Sequence, residues 1–103
     1  MLFHVTMTHS ADNCPAYEKE KALPEFIAWG DKMATTAAEN KVKILQFLWA
    51  APDHAAYSVL EADSLSGIAK FVNSLPIKQE FRVTPVQNLV DVVTMTRELM
   101  KKH

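Results

Sequence analysis

The segment VKILQFLWAAPDHAAYSVLEA, residues 42–62, decides the fold. Its first part, residues 42–51, is almost continuously apolar and is followed by a Pro-Asp pair, a pattern typical of a strand that ends in a turn. Residues 55–62 form a second predicted strand directly after that turn. The sequence therefore predicts a β-hairpin across the residues APDH.

Strands and helices alternate on both sides of this hairpin. They give the order β-α-β-β-α-β with an extra C-terminal helix, an α+β pattern that matches the split βαβ, ferredoxin-like unit. In that unit both helices lie on one face of a four-stranded antiparallel sheet with strand order 4-1-3-2. Outside the hairpin, the predicted elements are a strand over 2–9, a broken helix over 15–40 with Pro15 in its first turn and a break at Pro24, a helix over 64–75 capped by Ser64, a strand over 80–86 and a helix over 87–103.

The second strand carries apolar residues at both parities. A half-solvated strand alternates apolar and polar residues, so this strand is expected to be covered on both faces. A second copy of the same sheet supplies the missing cover most simply, which predicts a homodimer. By strict alternation, Val42, Ile44 and Leu48 lie on one side, and Leu45, Phe47 and Trp49 on the other.

The element order, the doubly apolar second strand and the ending RVTPV, residues 82–86, followed by a helix resemble the dimeric α+β barrel superfamily, in particular its small, poorly characterised members. The resemblance covers nearly the whole chain and is one of pattern, without a diagnostic motif. It implies a dimeric barrel of ferredoxin-like subunits. Members of the superfamily include cofactor-free monooxygenases, muconolactone isomerase-like enzymes, haem enzymes and small metal-binding proteins, so the fold does not select a chemistry.

Composition limits the partners. The chain has 103 residues, of which 49% are hydrophobic, and residues 1–103 are expected to form one domain. Its 11 Lys and Arg residues are scattered and balance 12 Asp and Glu residues, so neither nucleic acid nor a membrane surface is an expected partner. No signal segment or membrane span is evident, which predicts a cytoplasmic protein. His103 is expected to be a disordered terminal residue.

Two histidines and the only cysteine are predicted to meet at one sheet edge. His9 lies at the end of the first strand and His54 at the start of the third. These two strands are predicted to be antiparallel neighbours, and neighbouring strands are about 5 Å apart. Cys14 is close enough along the chain to turn back over the same edge. It is also expected beside the start of the first helix, where the helix dipole favours a thiolate.

Two imidazoles and a thiolate suit a divalent transition metal, zinc first, with copper or iron as the alternatives. The fourth ligand would be water, Asp12, Asp53, Glu18 or a group from the other subunit. Three protein ligands and one open position permit either catalysis or metal carriage without turnover. The alternative is that both histidines are ordinary residues of a loop edge and that the cysteine only fills space.

A second hypothesis is a metal-free monooxygenase- or isomerase-like enzyme that acts on a small apolar organic substrate, with His4 or His54 as the catalytic base. His4 lies in mid-strand and faces away from His9, so it cannot join the metal cluster. Trp49 is close to the edge that carries His54 and is the best candidate for an aromatic pocket wall. A third hypothesis is a dimeric interaction module without chemistry. If the polar side of the sheet lines a barrel lumen, the partners available to His4 are Gln46, Glu61 and Arg82.

Overall fold

The structure is a computed structural model that describes residues 1–101. Its antiparallel sheet has the order β2-β3-β1-β4, so the predicted strand order and the ferredoxin-like α+β fold are confirmed. Helices α1 to α3 lie between the strands along the chain, and α4 ends it. The strands are β1 (Leu2–Thr8), β2 (Val42–Ala50), β3 (Ala55–Ala62) and β4 (Glu80–Val86); the helices are α1 (Ala22–Asp31), α2 (Met33–Glu39), α3 (Leu65–Asn73) and α4 (Leu89–Lys101).

The hydrophobic core lies between one face of the sheet and the helices α2 and α3. Alternate residues of β1, which occupies a central position in the sheet, point into it. Helix α3 contributes the residues that share its apolar face, and the hydroxyl of Ser64 accepts a hydrogen bond from the Gly67 amide at its start, as predicted. The core includes Phe3, Val5, Met7, Leu60, Ile68, Phe71 and Val72.

Strand β2 contains a β-bulge that the sequence analysis did not anticipate. Its pairing with β3 shifts between Ile44 and Gln46, which leaves Leu45 as an extra residue. An extra residue in one strand reverses the faces of all side chains that follow it. Phe47 therefore packs against the core on the same side as Ile44, whereas Leu48 points away and is 51% exposed.

The prediction that Leu48 shares a face with Val42 is therefore wrong. Much of the doubly apolar pattern of β2 reflects the bulge, because apolar residues of opposite parity, before and after the bulge, face the same core. The apolar residues left on the open face of the sheet are fewer than predicted. They include Leu48 and Tyr57, which are paired across β2 and β3.

The segment between β1 and α1 also departs from prediction. Residues 15–21 are not helical beyond a single 3-10 turn at Pro15–Tyr17, and α1 begins at Ala22. The carboxylate of Glu18 accepts hydrogen bonds from the backbone amides of Lys21 and Ala22, at 2.8 and 2.5 Å, and so caps the helix at this point. These bonds, that from Ala22 first, lower the pKa of Glu18.

The predicted break at Pro24 is likewise wrong. Pro24 lies in the first turn of α1, where a helix does not require its amide hydrogen. The break between α1 and α2 occurs instead at Lys32, two residues after Gly30, which has a low helix propensity.

Helix α4 contributes no buried side chain among its described residues. Leu89, Val90 and Met100 are each 75% exposed, and the described part of the chain is elongated, with extents of 63 × 29 × 17 Å. The apolar side chains of α4 are therefore left uncovered by the protomer. His103 lies outside the described residues. None of the helices in residues 1–101 is long and apolar enough to cross a membrane.

One buried hydroxyl gives a test of the core. Ser58 is 1% exposed, and its Oγ has no hydrogen-bond partner among residues 1–101. A buried polar group without a partner costs about 1–3 kcal/mol. We expect Ser58→Ala to raise the free energy of unfolding by about 1 kcal/mol, a rise of roughly 4–8 °C in the Tm measured by circular dichroism.

Ser74 provides the matched control. Its Oγ accepts a hydrogen bond of 2.9 Å from Nε1 of Trp29 and donates to the carbonyl of Phe71. Ser74→Ala is expected to lower the free energy of unfolding by about 1 kcal/mol, because it leaves the indole N–H group of Trp29 without its hydrogen-bond acceptor. A fall in Tm for Ser58→Ala, equal to that for Ser74→Ala, would contradict the assignment.

Candidate metal centre

His9, Cys14 and His54 converge at one end of the sheet. One imidazole nitrogen from each histidine and Sγ of the cysteine all lie within 4.8 Å of one another. In a tetrahedral zinc site, Zn–N bonds of about 2.0–2.1 Å and a Zn–S bond of about 2.3 Å place the ligand atoms roughly 3.3–3.6 Å apart. Side-chain adjustments of about 1 Å are thus sufficient to bring the three groups around one ion.

The pairing of β1 with β3 positions the two histidines. The last residue pair of the ladder is Thr8 with Ala55, and beyond it the amide of His9 donates a 3.0 Å hydrogen bond to the carbonyl of His54. The two imidazole rings meet edge to face, with centroids 5.3 Å apart and planes at 76°. The predicted meeting of His9 and His54 at this edge is confirmed.

His54 has a left-handed backbone conformation, with φ 50° and ψ 46°. It follows a 3-10 turn at Ala51–Asp53 and donates its amide hydrogen to the carbonyl of Ala51. This conformation costs a residue other than glycine about 1–2 kcal/mol. The hairpin therefore holds an imidazole at a position where glycine would be less strained.

Cys14 lies between two 3-10 turns, Ala11–Asn13 and Pro15–Tyr17. The prediction that it lies beside the start of the first long helix is wrong, because α1 begins only at Ala22. The helix dipole acts within the first turn and does not reach this thiol. The turns themselves bring Cys14 back to the histidines, since its amide bonds to the carbonyl of Ala11 and reverses the chain.

Each of the two histidines has one buried ring nitrogen without a hydrogen-bond partner among residues 1–101. Nε2 of His9 and Nδ1 of His54 are shielded from solvent, and neither has a hydrogen-bond partner among residues 1–101. Buried polar atoms are nearly always paired in folded proteins. Two rings that each carry an unpaired nitrogen, in a group where a thiol also converges, are the arrangement that a metal ion would satisfy.

The electrostatics of the site favour neutral imidazole at His9. Desolvation by burial, followed by repulsion from His54, lowers the pKa of His9 below its ordinary value of 6.5. The neutral ring is the form that binds metal.

Aromatic side chains surround the histidines. Trp49 stacks on His9 with centroids 5.4 Å apart, and the edge of Phe26 meets Trp49 at 5.0 Å. Tyr17 meets His54 edge to face at 6.0 Å. The position of Trp49 agrees with the sequence analysis, but the role of Phe26 was missed. No sequence signal marks it, because its position depends on how α1 lies against the end of β2.

A cavity of about 200 Å³ opens beside Cys14 and His54, between α1 and the end of the hairpin. Its lining is largely apolar. A second cavity, of about 390 Å³ and more polar, is lined in part by His9 and is bordered by the segment before β4. The first cavity is lined by Cys14, Pro15, Ala16, Tyr17, Leu23, Phe26, Trp49, Ala51 and His54.

The predicted fourth ligands do not join the cluster. Within residues 1–101, the group of converging ligand atoms contains no carboxylate, so Asp12 and Asp53 are not part of it. Glu18 is held at the start of α1 by its capping hydrogen bonds. Water or a group from another chain remains for the fourth position.

His4 lies apart from this cluster, in the middle of β1 and on the opposite face from Val5. Its ring centroid is 6.4 Å from that of Tyr57. The register places Gln46 in the same cross-strand row, while Glu61 and Arg82 lie elsewhere on the same open face. The roles of His4 and His54 as catalytic residues stay predictions.

The lowered pKa of His9 has a consequence for stability. The unfolded chain takes up a proton near the ordinary pKa of 6.5 while the folded state resists it, so stability is full above that pH and falls as the pH decreases through it. In metal-free protein, we expect the free energy of unfolding in urea to fall between about pH 7.5 and pH 5.5. His9→Gln is expected to reduce this fall.

His4→Gln is the control and is expected to retain the fall of the wild type. The His9 ring, followed by NMR, should titrate below 6.5. An unchanged pH dependence in His9→Gln would count against the assignment.

Comparisons with known proteins show which family the chain belongs to. None of the curated proteins matches the sequence. Among solved structures, a dimeric ferredoxin-like protein from an uncultured marine organism, determined at 2.20 Å, is similar, with 16% sequence identity over 84% of this chain and 95% of that chain and a TM-score of 0.37. The family model described as "Domain of unknown function (DUF3303)" matches residues 1–100. This chain belongs to the DUF3303 family.

Proposed function

We propose that this protein binds a divalent transition metal through His9, Cys14 and His54. The observation that carries the proposal is the convergence of three ligand atoms within 4.8 Å, two of them on rings with a shielded, unpartnered nitrogen. The backbone hydrogen bond between the two histidines supports it further, because it fixes both imidazole-bearing residues at the ends of paired strands.

Zinc is the metal that this ligand set fits best, with copper or iron as the alternatives. Two imidazoles and one thiolate are ligands that zinc accepts in tetrahedral geometry, and zinc binding lowers the pKa of a thiol enough to deprotonate it. The proposal places the protein in the cytoplasm, a reducing compartment where the single Cys14 stays a free thiol.

Three protein ligands leave one coordination position for water or a small ligand. The cavity of about 200 Å³ beside Cys14 and His54 supports such an open position. A metal-bound water there would be acidified and could serve a hydrolytic reaction, whereas a site without turnover would carry the metal. The proposal covers both, as an enzyme through the open position or as a carrier.

Metal content tests the proposal. In protein purified without an affinity tag, elemental analysis is expected to find about one zinc ion per chain. Cys14→Ala should reduce this to below about 0.2 per chain, because two imidazoles alone bind zinc weakly. His4→Gln, which alters a histidine outside the cluster, should leave the zinc content unchanged.

His54→Gly separates loss of the ligand from loss of the fold. Glycine adopts the left-handed conformation of residue 54 without strain, so this variant should unfold at the same temperature as metal-free wild type or higher. It should nevertheless lose zinc. Wild-type protein with less than about 0.2 metal ions per chain, unchanged by Cys14→Ala, would remove the proposal.

We also propose that the protein is a homodimer. The protomer leaves apolar side chains uncovered on two surfaces, the open face of the sheet with Leu48 and Tyr57, and helix α4. Burying such surfaces against a second copy is the economical arrangement for a two-fold dimer.

Mass measurement by light scattering after gel filtration tests the dimer. Leu48→Lys places a charge among the apolar residues of the open face, on the edge strand β2, and is expected to give a monomer. Leu65→Lys is the matched control, because Leu65 is also exposed but lies on α3, on the other side of the sheet. Equal masses for the two variants would contradict the proposed interface.

A metal-free monooxygenase- or isomerase-like enzyme is the second candidate function. The observation that favours it is the apolar cavity beside His54, which would accept a small apolar organic substrate next to a possible base. The cavity borders His54 and not His4, so His54 is the preferred base. Substrate binding that is unaffected by Cys14→Ala and by chelators would favour this candidate over the metal site. If the protein binds neither a metal nor an organic substrate, the dimeric interaction module is the hypothesis that remains.

A further inference from the structure

We propose that the cavity beside the cluster binds a small aromatic carboxylate, with its carboxylate on the open position of the metal and its ring among Tyr17, Phe26 and Trp49. This inference rests on the proposed metal site, and it adds the class of ligand that the site takes.

The size of the cavity fits one six-membered ring with a short substituent. Its volume is about 200 Å³. An apolar protein cavity of about 150 Å³ is known to accept benzene. A ligand with two fused rings and a side chain would exceed the space, and a ligand as small as acetate would leave most of it unfilled.

The walls of the cavity favour a flat, apolar ligand. Phe26 and Trp49 meet edge to face at 83°, so the two rings present differently oriented aromatic surfaces to the space between them. Aromatic rings prefer edge-to-face or offset contacts of this kind. Tyr17 is largely exposed and stands at the side nearest His54.

The charge at the metal favours an anion. A divalent ion held by one thiolate and two neutral imidazoles keeps a net charge of about +1. Among residues 1–101, no carboxylate side chain lines the cavity. A ligand with a single negative group would neutralise the metal site, while a second charge would fall among Pro15, Leu23 and Phe26, where it would be desolvated without a partner.

The cavity also has the correct position relative to the metal. Cys14 and His54 are both metal-ligand candidates and both line the cavity. A ligand that coordinates the ion therefore has its remaining atoms directed to this apolar space, to the more polar cavity beside His9 or to solvent. Burial of the ring makes the first direction the favourable one.

Calorimetric titration of the zinc-loaded, full-length protein with benzoate and with acetate tests the inference. Both probes carry the same coordinating group, and only benzoate carries a ring. We expect benzoate to bind at least about tenfold more tightly than acetate. Removal of zinc with a chelator is expected to weaken benzoate binding by a similar factor.

Ala51→Leu is the test variant, because it adds a larger side chain to the cavity wall without altering a metal ligand. It should abolish the preference for benzoate and retain zinc. Ala38→Leu, at an exposed position of α2 away from the cavity, should bind benzoate as the wild type does. Phe26→Leu provides a second variant, which should reduce the preference by removing one aromatic wall.

The outcomes separate this inference from the metal site itself, because zinc content is measured in the same samples. Bound zinc with benzoate no tighter than acetate overturns the inference and leaves the metal site standing. Wild-type benzoate affinity in Ala51→Leu, or in zinc-free protein, also overturns it. Absence of zinc overturns the proposed function and this inference together.

Discussion

The hydrogen bond from the His9 amide to the His54 carbonyl extends the pairing of β1 and β3 one step beyond the strands. Residues far apart in sequence are thereby fixed side by side, and the centroids of their imidazole rings are 5.3 Å apart. The reversal at Ala11–Asn13 then needs only to return Cys14 to the same place. The relative position of the two histidines is therefore a property of the sheet, and sites built on strands are held more precisely than sites on loops.

Aromatic packing reinforces this position where hydrogen bonds do not. Trp49 covers one face of the His9 ring, and Phe26 supports the indole from α1. The same burial lowers the pKa of His9 and keeps the ring neutral. Phe26 and Trp49 therefore have linked effects. They pack around the His9 ring, whose burial lowers its pKa, and they also line the apolar cavity.

The sequence was sufficient for the strand order and for the meeting of His9 with His54, because β-rich segments and their order restrict the sheet to few topologies. It was not sufficient for the bulge at Leu45. An apolar residue is compatible with either face of a buried strand, so a residue inserted among apolar neighbours leaves no mark in the pattern. It also missed the start of α1, which depends on capping by Glu18, a residue that pattern alone assigns to a solvated helix face.

Helix α4 has a consequence for the conditions under which the chain is fully ordered. It has 13 residues, and helices of this length are marginal in water when nothing packs against them. The protomer buries none of its described side chains, so a surface that would cover its apolar residues lies outside the protomer. If that surface belongs to a second copy, order in α4 is linked by mass action to protein concentration, and dilution destabilises this helix as a mild denaturant would.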